Sequence, residues 1–341
     1  MKVSVDKNDE KICNYEADDC FKPFISVIIT AYNRRKYLLE SIKSALNQTL
    51  DRDMFELIVI KNFEDDIIDE FIRKNSIKNI ISSGIEGYYP FLALQNAVGE
   101  ILVFLDDDDL MDKHKLQIIY DIFQDKNIGY VHNNYNVLIG DNIIRDKLIN
   151  APHYKTVRVK NESKLSRLYF LEKILAYANN SCISIRKIVL ERQKEYLEKQ
   201  IANIDRFLYL TAVLSEFDLY IDERILTTYR IHEKQTSALN DRDINTLVKR
   251  KLDFINKSIP AFENMCNMAT GTLFEGYART RLINLKLAYN FWSFTKTYNY
   301  SIKEYLIFIR SRDFSEIPRL VIYNTPKNIR RKLIRLIYKI N

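Results

Sequence analysis

Unbroken apolar runs alternate with amphipathic stretches over the first third of the chain. Phe24-Ile25-Ser26-Val27-Ile28-Ile29-Thr30-Ala31 and Phe55-Glu56-Leu57-Ile58-Val59-Ile60 have the branched, near-continuous apolar character of strands buried on both faces of a parallel sheet. Between them Leu38, Leu39, Ile42, Ala45 and Leu46 recur at spacings of three and four, the period of an amphipathic helix. Residues 67–73 predict a second short helix, 79–82 a third strand, and 90–98 a helix that stops at Gly99. The next run, Ile101-Leu102-Val103-Phe104-Leu105, ends on Asp106-Asp107-Asp108-Asp109. Strands and helices alternating at this rhythm imply βαβ units: an α/β protein with a mostly parallel central sheet and helices on both faces.

Four adjacent carboxylates repel one another unless a cation sits among them. Ligands of open α/β sheets bind just beyond the carboxyl ends of the strands, where these four fall. Oxygen donors there suit Mg²⁺ or Mn²⁺, with phosphates completing the coordination. The plainer explanation is a solvated loop whose charges favour the start of the next helix, around residues 111–123. The phosphate-binding glycine patterns G-x-G-x-x-G and G-x-x-x-x-G-K-[ST] are missing, which disfavours a nicotinamide dehydrogenase or a P-loop nucleotidase.

Composition adds bounds. The chain has 341 residues, 47% apolar and 28% charged, an ordinary globular balance with room for a catalytic domain and a smaller appended unit. Its four cysteines, Cys13, Cys20, Cys182 and Cys266, form no C-x-x-C pair and fit a reduced, cytoplasmic setting. Residues 1–22 look like a polar extension without the apolar core of a secretory signal, and no window reaches the length of a membrane span. The net charge of +7 comes without a nucleic-acid motif and is weak evidence for an anionic surface.

Five segments in order resemble the family 2 glycosyltransferases of the nucleotide-sugar-binding GT-A fold: Ile25 to Asn33, Glu56-Leu57-Ile58-Val59-Ile60, Gly99 to Leu110, Asn203-Ile204-Asp205, and Tyr229-Arg230-Ile231-His232. The resemblance covers residues 24–235. It implies a GT-A domain over 23–240, followed by a helical C-terminal region over 241–341. It further implies a metal-dependent, inverting transfer of a sugar from a nucleotide-diphospho-sugar to a hydroxyl of a glycan or lipid-linked acceptor. By the same resemblance Thr30 and Tyr32 contact the base and ribose, while Arg34 is either a further contact or a solvated charge. The pattern Asp-x-Asp-Asp falls on Asp106, Asp108 and Asp109, with Asp106 near ribose or metal, Asp108 on the metal, and Asp107 at the variable, solvent-facing position. His232 completes the metal site, and Asp205 is the catalytic base that takes the acceptor's proton. Asn180-Ser181-Cys182-Ile183-Ser184-Ile185 matches a strand lining the acceptor side.

Two positions depart from the family pattern. Lys61 stands where an aspartate usually accepts a hydrogen bond from uracil, so Asn62 or a backbone carbonyl takes that part, or the base differs. Gln95 replaces the arginine of an Arg-Asn pair, leaving Asn96 to meet the ribose or brace the acidic loop. These departures keep open a sugar-nucleotide-binding or scaffold protein that has lost turnover. A sugar nucleotidyltransferase is disfavoured by the missing glycine-rich loop. Beyond the resemblance, 244–258, 273–297 and 302–310 read as helices. In residues 326–341, Ile329, Leu333, Leu336, Ile337 and Ile340 share one face and six basic residues supply charge, a pattern suited either to the cytoplasmic face of an anionic membrane or to packing on the catalytic domain.

Overall fold

The computed structural model describes residues 11–13, 22–140, 142–144, 154–232, 244–295 and 297–298, together with Pro326, Asn328, Ile329 and Lys332. The chain divides into two compact units, Met1–His232 and Glu233–Asn341.

The first unit is built on one curled sheet. Its strands are β1 (Lys11–Cys13), β2 (Ile25–Ala31), β3 (Phe55–Lys61), β4 (Lys78–Ile81), β5 (Ile101–Asp106), β6 (Leu110–Met111), β7 (Ile128–Ile139), β8 (Asn142–Ile144), β9 (Val157–Val159), β10 (Ile183–Arg186) and β11 (Asp218–Ile231). They run in the order β1-β4-β3-β2-β5-β10-β7-β11-β6, with β8 beside β7 and β9 beside β11. The half made of β4, β3, β2 and β5 is parallel, as the apolar runs imply, and β10 joins it antiparallel to β5. Residues 11–13, expected in a polar extension, instead form an antiparallel edge strand on β4.

Helices α1 (Leu38–Leu46), α2 (Asp66–Lys74), α3 (Tyr89–Asn96) and α4 (Lys115–Phe123) connect the strands. Further along come α5 (Lys164–Lys173), α6 (Lys187–Glu191), α7 (Lys194–Leu197) and α8 (Ile204–Leu214). The core is the expected set: Ile25, Val27, Ile29, Leu57, Val59, Ile101, Val103 and Leu105 pack with Leu38, Ile42, Leu116 and Ile119 of the helices. Gly99 feeds β5 through a narrow gap. Its N–H donates to Ser26 Oγ (2.9 Å), and a Cβ there would lie 2.6 Å from the Ser26 backbone nitrogen.

The sheet has one consequence for function. β2, β3 and β5 end side by side, with Thr30 opposite both Ile60 and Asp106. β11 pairs antiparallel with β6, Thr228 against Leu110, and so returns its C-terminal residues to the acidic loop.

In the second unit α9 (Ile244–Ala269) and α10 (Glu275–Ser293) share a small core that includes Ile255, Ile259, Phe291 and Trp292. The expected helix 302–310 lies outside the described residues, as does the basic segment 326–341 apart from the four residues named above. Among the described residues no helix is long and apolar enough to cross a membrane.

Candidate active site

The acidic loop folds into a cluster. Carboxylate oxygens of Asp106, Asp108 and Asp109 all lie within 4.8 Å of one another. Asp106 closes β5, its N–H donating to Ser181 Oγ (2.9 Å), and Asp109 is fully buried behind it. Asp109 accepts from the Asn179 side-chain amide (3.1 Å) and from the Arg230 N–H (2.9 Å), while its carbonyl takes the Ser41 hydroxyl (2.7 Å). Burial, then the Asp108 charge, pushes the Asp109 carboxyl up to about 7. Burial and the three neighbouring carboxylates likewise hold Asp106 well above the usual range, opposed by Arg34. Unrelieved anionic charge of this kind is what a divalent ion removes.

Asp107 does not face solvent. It is 1% exposed and takes a two-point contact from Arg34, Nε at 3.1 Å and the second terminal nitrogen at 2.5 Å. The other terminal nitrogen of Arg34 donates to Asp108 Oδ2 (2.9 Å), and His232 Nε2 lies 3.0 Å from that same oxygen. His232 also packs, tilted by 51° and 5.3 Å between ring centres, against Tyr37, whose ring carries the Arg230 guanidinium 4.2 Å from its centre. Arg230 in turn donates to the Asp108 carbonyl (2.9 Å) and to Glu40 (2.7 Å), so β11 and α1 together fix the back of the loop.

Asp205 opens α8 and belongs to the same constellation through one intermediary. The Asn179 N–H donates to Asp205, while the Asn179 side chain donates to Asp109. Burial raises the Asp205 carboxyl, and the Arg206 charge and the backbone N–H groups of Arg206 and Asn179 partly offset it. Asn179 (φ 69°) and Asn203 (φ 55°) both hold left-handed backbone, a conformation that asparagine tolerates better than most residues. Strained positions of this sort concentrate at functional sites.

The remaining expected residues separate into two groups. Thr30 and Tyr32 lie at the end of β2, Tyr32 packing 6.0 Å from the Tyr89 ring. Asn62 follows β3 and makes a reciprocal amide pair with Asn33, accepting its N–H (2.8 Å) and donating to its side chain (2.9 Å). These three rim the same edge as the acidic cluster.

Asn96 does not. It ends α3, which leads into the start of β5, so it sits at the opposite edge of the sheet; its amide turns back to Leu92 O (2.9 Å) and its carbonyl takes Lys78 (2.7 Å). The reason is directional: a helix that precedes a parallel strand ends at that strand's N-terminal side. Lys61 is also turned away, fully buried and paired with Asp69 (2.8 Å) and the Phe63 carbonyl (2.5 Å).

Four further residues complete the site, of which only Asn180 fell within a motif, at the start of the segment matched to the acceptor-side strand. Asn179 bridges the two acidic groups. Asn180 places its amide nitrogen 3.4 Å from Asp106, while its Oδ1 is buried with no hydrogen-bond partner among the described residues. Lys115, fully buried, donates to the Ser181 carbonyl (2.5 Å) and Thr227 Oγ (3.3 Å), and burial lowers it to about 8. His132 is held neutral by burial, at about 4, against the Ala178 carbonyl (2.8 Å). Their only signal in the sequence is the Asn-Asn-Ser run before β10 and a lone polar position on the apolar face of α4. Three carboxylates, an orphaned amide oxygen and an imidazole make a hard, oxygen-rich donor set that fits Mn²⁺ or Mg²⁺.

Residues 26–189 match the family model for glycosyl transferase family 2. The chain carries a family 2 glycosyl transferase domain. An uncharacterized glycosyltransferase of Rickettsia conorii is 34% identical over 117 residues, which are 33% of this chain and 19% of that protein. The poly(ribitol-phosphate) beta-N-acetylglucosaminyltransferase TarS of Staphylococcus aureus is 31% identical over 99 residues, 27% of this chain and 17% of TarS. The chain thus matches less than a fifth of either relative's length.

Among solved structures, S. aureus TarS 1–349 in complex with UDP-GlcNAc superposes with a TM-score of 0.51 at 18% identity, covering 86% of this chain and 80% of that one. The mannosyltransferase PcManGT of Pyrobaculum calidifontis, in complex with GDP-Man and Mn²⁺, gives 0.53 at 13% identity, covering 92% and 86%. Likeness at these identities is one of fold, and the fold is GT-A. The stretch matched to the family carries Thr30, Tyr32, Asn62 and the acidic loop, while Asp205 and His232 lie beyond it.

Proposed function

We propose that the chain is a metal-dependent glycosyltransferase that moves a sugar from a nucleotide-diphospho-sugar to a hydroxyl of a glycan or lipid-linked acceptor, inverting the anomeric configuration. One observation carries this reading: three carboxylates converge within 4.8 Å at the ends of the parallel strands, and a fourth, Asp205, is tied to them through Asn179. The nucleotide sugars held by TarS and PcManGT, on the same fold, support a donor of this class.

Asp106, Asp108 and His232 would hold Mn²⁺ or Mg²⁺, and Asn180 Oδ1 lies beside them. When bound, the ion supplies positive charge against the departing diphosphate. Thr30 and Tyr32 bind the nucleoside, and Asn62, offering both a donor and an acceptor, reads its base. Asp205 takes the proton from the acceptor hydroxyl as that oxygen attacks the anomeric carbon from the side opposite the diphosphate. Its burial suits the task, because a raised carboxyl is a stronger base once ionised. Arg230 positions the loop from behind, and Lys115 holds Ser181, whose hydroxyl accepts from the Asp106 N–H. The basic segment 326–341 would meet an anionic membrane face, bringing a lipid-linked acceptor within reach.

The test is release of nucleoside diphosphate from a panel of UDP-, GDP- and dTDP-sugars by the full chain with Mn²⁺ and candidate acceptors, and the anomeric configuration of the product by NMR. Metal-dependent turnover abolished by Asp108→Asn is expected. Binding without turnover across the panel would leave a donor-binding protein, and a retained anomeric configuration would remove Asp205 from its role.

A further inference from the structure

We propose that Arg34 is the exchangeable counter-cation of the acidic loop: its guanidinium competes with a divalent ion for Asp108 and passes to the donor's diphosphate when metal and donor arrive together. The inference rests on the metal-dependent reading above and adds a residue and a binding order to it.

The geometry is specific. Arg34 lies in the turn after β2, at the edge where Thr30 and Tyr32 sit. Two of its nitrogens grip Asp107, and the third reaches Asp108 Oδ2 at 2.9 Å. That oxygen is also the one met by His232 Nε2 at 3.0 Å. A single carboxylate oxygen therefore receives a guanidinium and an imidazole, and an ion coordinated there displaces one of them.

Asp107 decides which part of Arg34 stays. It is 1% exposed, so losing its arginine contact would strand a buried charge. The Asp107 grip is two-point and the Asp108 contact is single, and Arg34 itself remains 30% exposed. The arrangement is an anchored fork with one releasable arm. Guanidinium matches phosphate oxygens as well as it matches carboxylates, so a diphosphate gives that arm an equivalent partner.

The consequence is thermodynamic coupling. Metal alone must evict a cation and leave it unmatched, whereas metal with diphosphate supplies the replacement. Metal and nucleotide therefore bind cooperatively, and the coupling is reciprocal. Removing the guanidinium relieves the competition and abolishes the reward.

The experiment measures Mn²⁺ affinity of the full chain by electron paramagnetic resonance, alone and with saturating UDP or GDP, for the wild type, Arg34→Met, Arg34→Lys and Asp108→Asn. Arg34→Met is expected to bind Mn²⁺ alone about tenfold tighter, the scale of one charge-assisted contact no longer displaced. The gain in Mn²⁺ affinity from nucleotide, large in the wild type, is expected to shrink by a similar factor. Arg34→Lys keeps the charge without the fork and is expected to fall between; it carries the test if the methionine variant does not fold by circular dichroism. Unchanged or weaker Mn²⁺ binding by the Arg34 variants, with wild-type coupling to nucleotide, overturns the role of Arg34 and leaves the metal site standing. A wild type that binds Mn²⁺ no better than Asp108→Asn, with or without nucleotide, overturns the metal reading and this inference together.

Discussion

Replacing Asp205 by Asn separates chemistry from architecture. The half-buried side chain at the start of α8 accepts the N–H groups of Arg206 (2.7 Å) and Asn179. Asparagine keeps the shape and one acceptor oxygen but presents an NH₂ group in place of the other. The structural cost is at most one backbone donor left without an acceptor, about 1–3 kcal/mol. It is opposed by relief of the burial that raises this carboxyl. The net change should stay within about 1 kcal/mol, which moves Tm by about 2–4 °C in a domain of this size. Loss of a positioned general base, by contrast, costs about 10²–10⁴ in rate. Steady-state transfer, donor affinity by calorimetry and thermal melts would be measured on the same preparation. We expect kcat to fall by about 10²–10⁴ with donor affinity nearly unchanged. Turnover within tenfold of wild type, with donor binding intact, would refute the assignment.

Three further outcomes follow from the same geometry. Gly99→Ala should cost about 1–3 kcal/mol, because its Cβ would meet the Ser26 backbone at 2.6 Å; a melting temperature within 1 °C of wild type in thermal melts would contradict the packing described. His232→Ala should raise the Mn²⁺ concentration needed for half-maximal donor binding by about tenfold and leave the Tm of the metal-free protein nearly unchanged; an unaltered metal requirement would exclude His232 as a ligand. The Asp109 carboxyl, at about 7 in the folded protein, lies above its unfolded range, so its contribution is intact below about pH 4 and is lost as pH rises through 7. In chelator, Tm should therefore fall between pH 5 and 8, and Asp109→Asn should flatten that fall. Equal slopes for the two proteins would contradict the burial of this charge.

How much was legible in the sequence depended on whether a residue's role is set along the chain or across it. The strands at 25–31, 55–61 and 101–106 were legible because burial on both faces leaves a continuous apolar run. Asp106, Asp108, Asp205 and His232 stood in recognisable company and were brought into one region. Asn96 was misplaced because a short motif does not say at which edge of the sheet a helix ends. Lys61 showed its charge but not its direction, which is set by Asp69 on the following helix. Asp107 appeared free to face solvent, and only the fold brings Arg34, 73 residues earlier, onto it. Asn179 and Lys115 act through backbone groups and buried contacts between distant strands, and no local pattern marks such partners. The parallel pairing of β7 with the bulged β11 in the curled second half of the sheet was likewise hidden, since the alternation of β7 is broken by buried polar residues such as His132 and Asn133.

If crowded carboxylates at the sheet edge bind the metal-bound diphosphate of a sugar donor, donor affinity depends on the ion. Isothermal titration of the full chain with nucleotide sugars, in Mn²⁺ and in chelator, tests it most directly. Saturable binding of at least one nucleotide sugar in Mn²⁺, lost in chelator and in Asp108→Asn, is the expected result. Binding of equal strength with and without the ion, or with the Asp108 carboxylate removed, would contradict it.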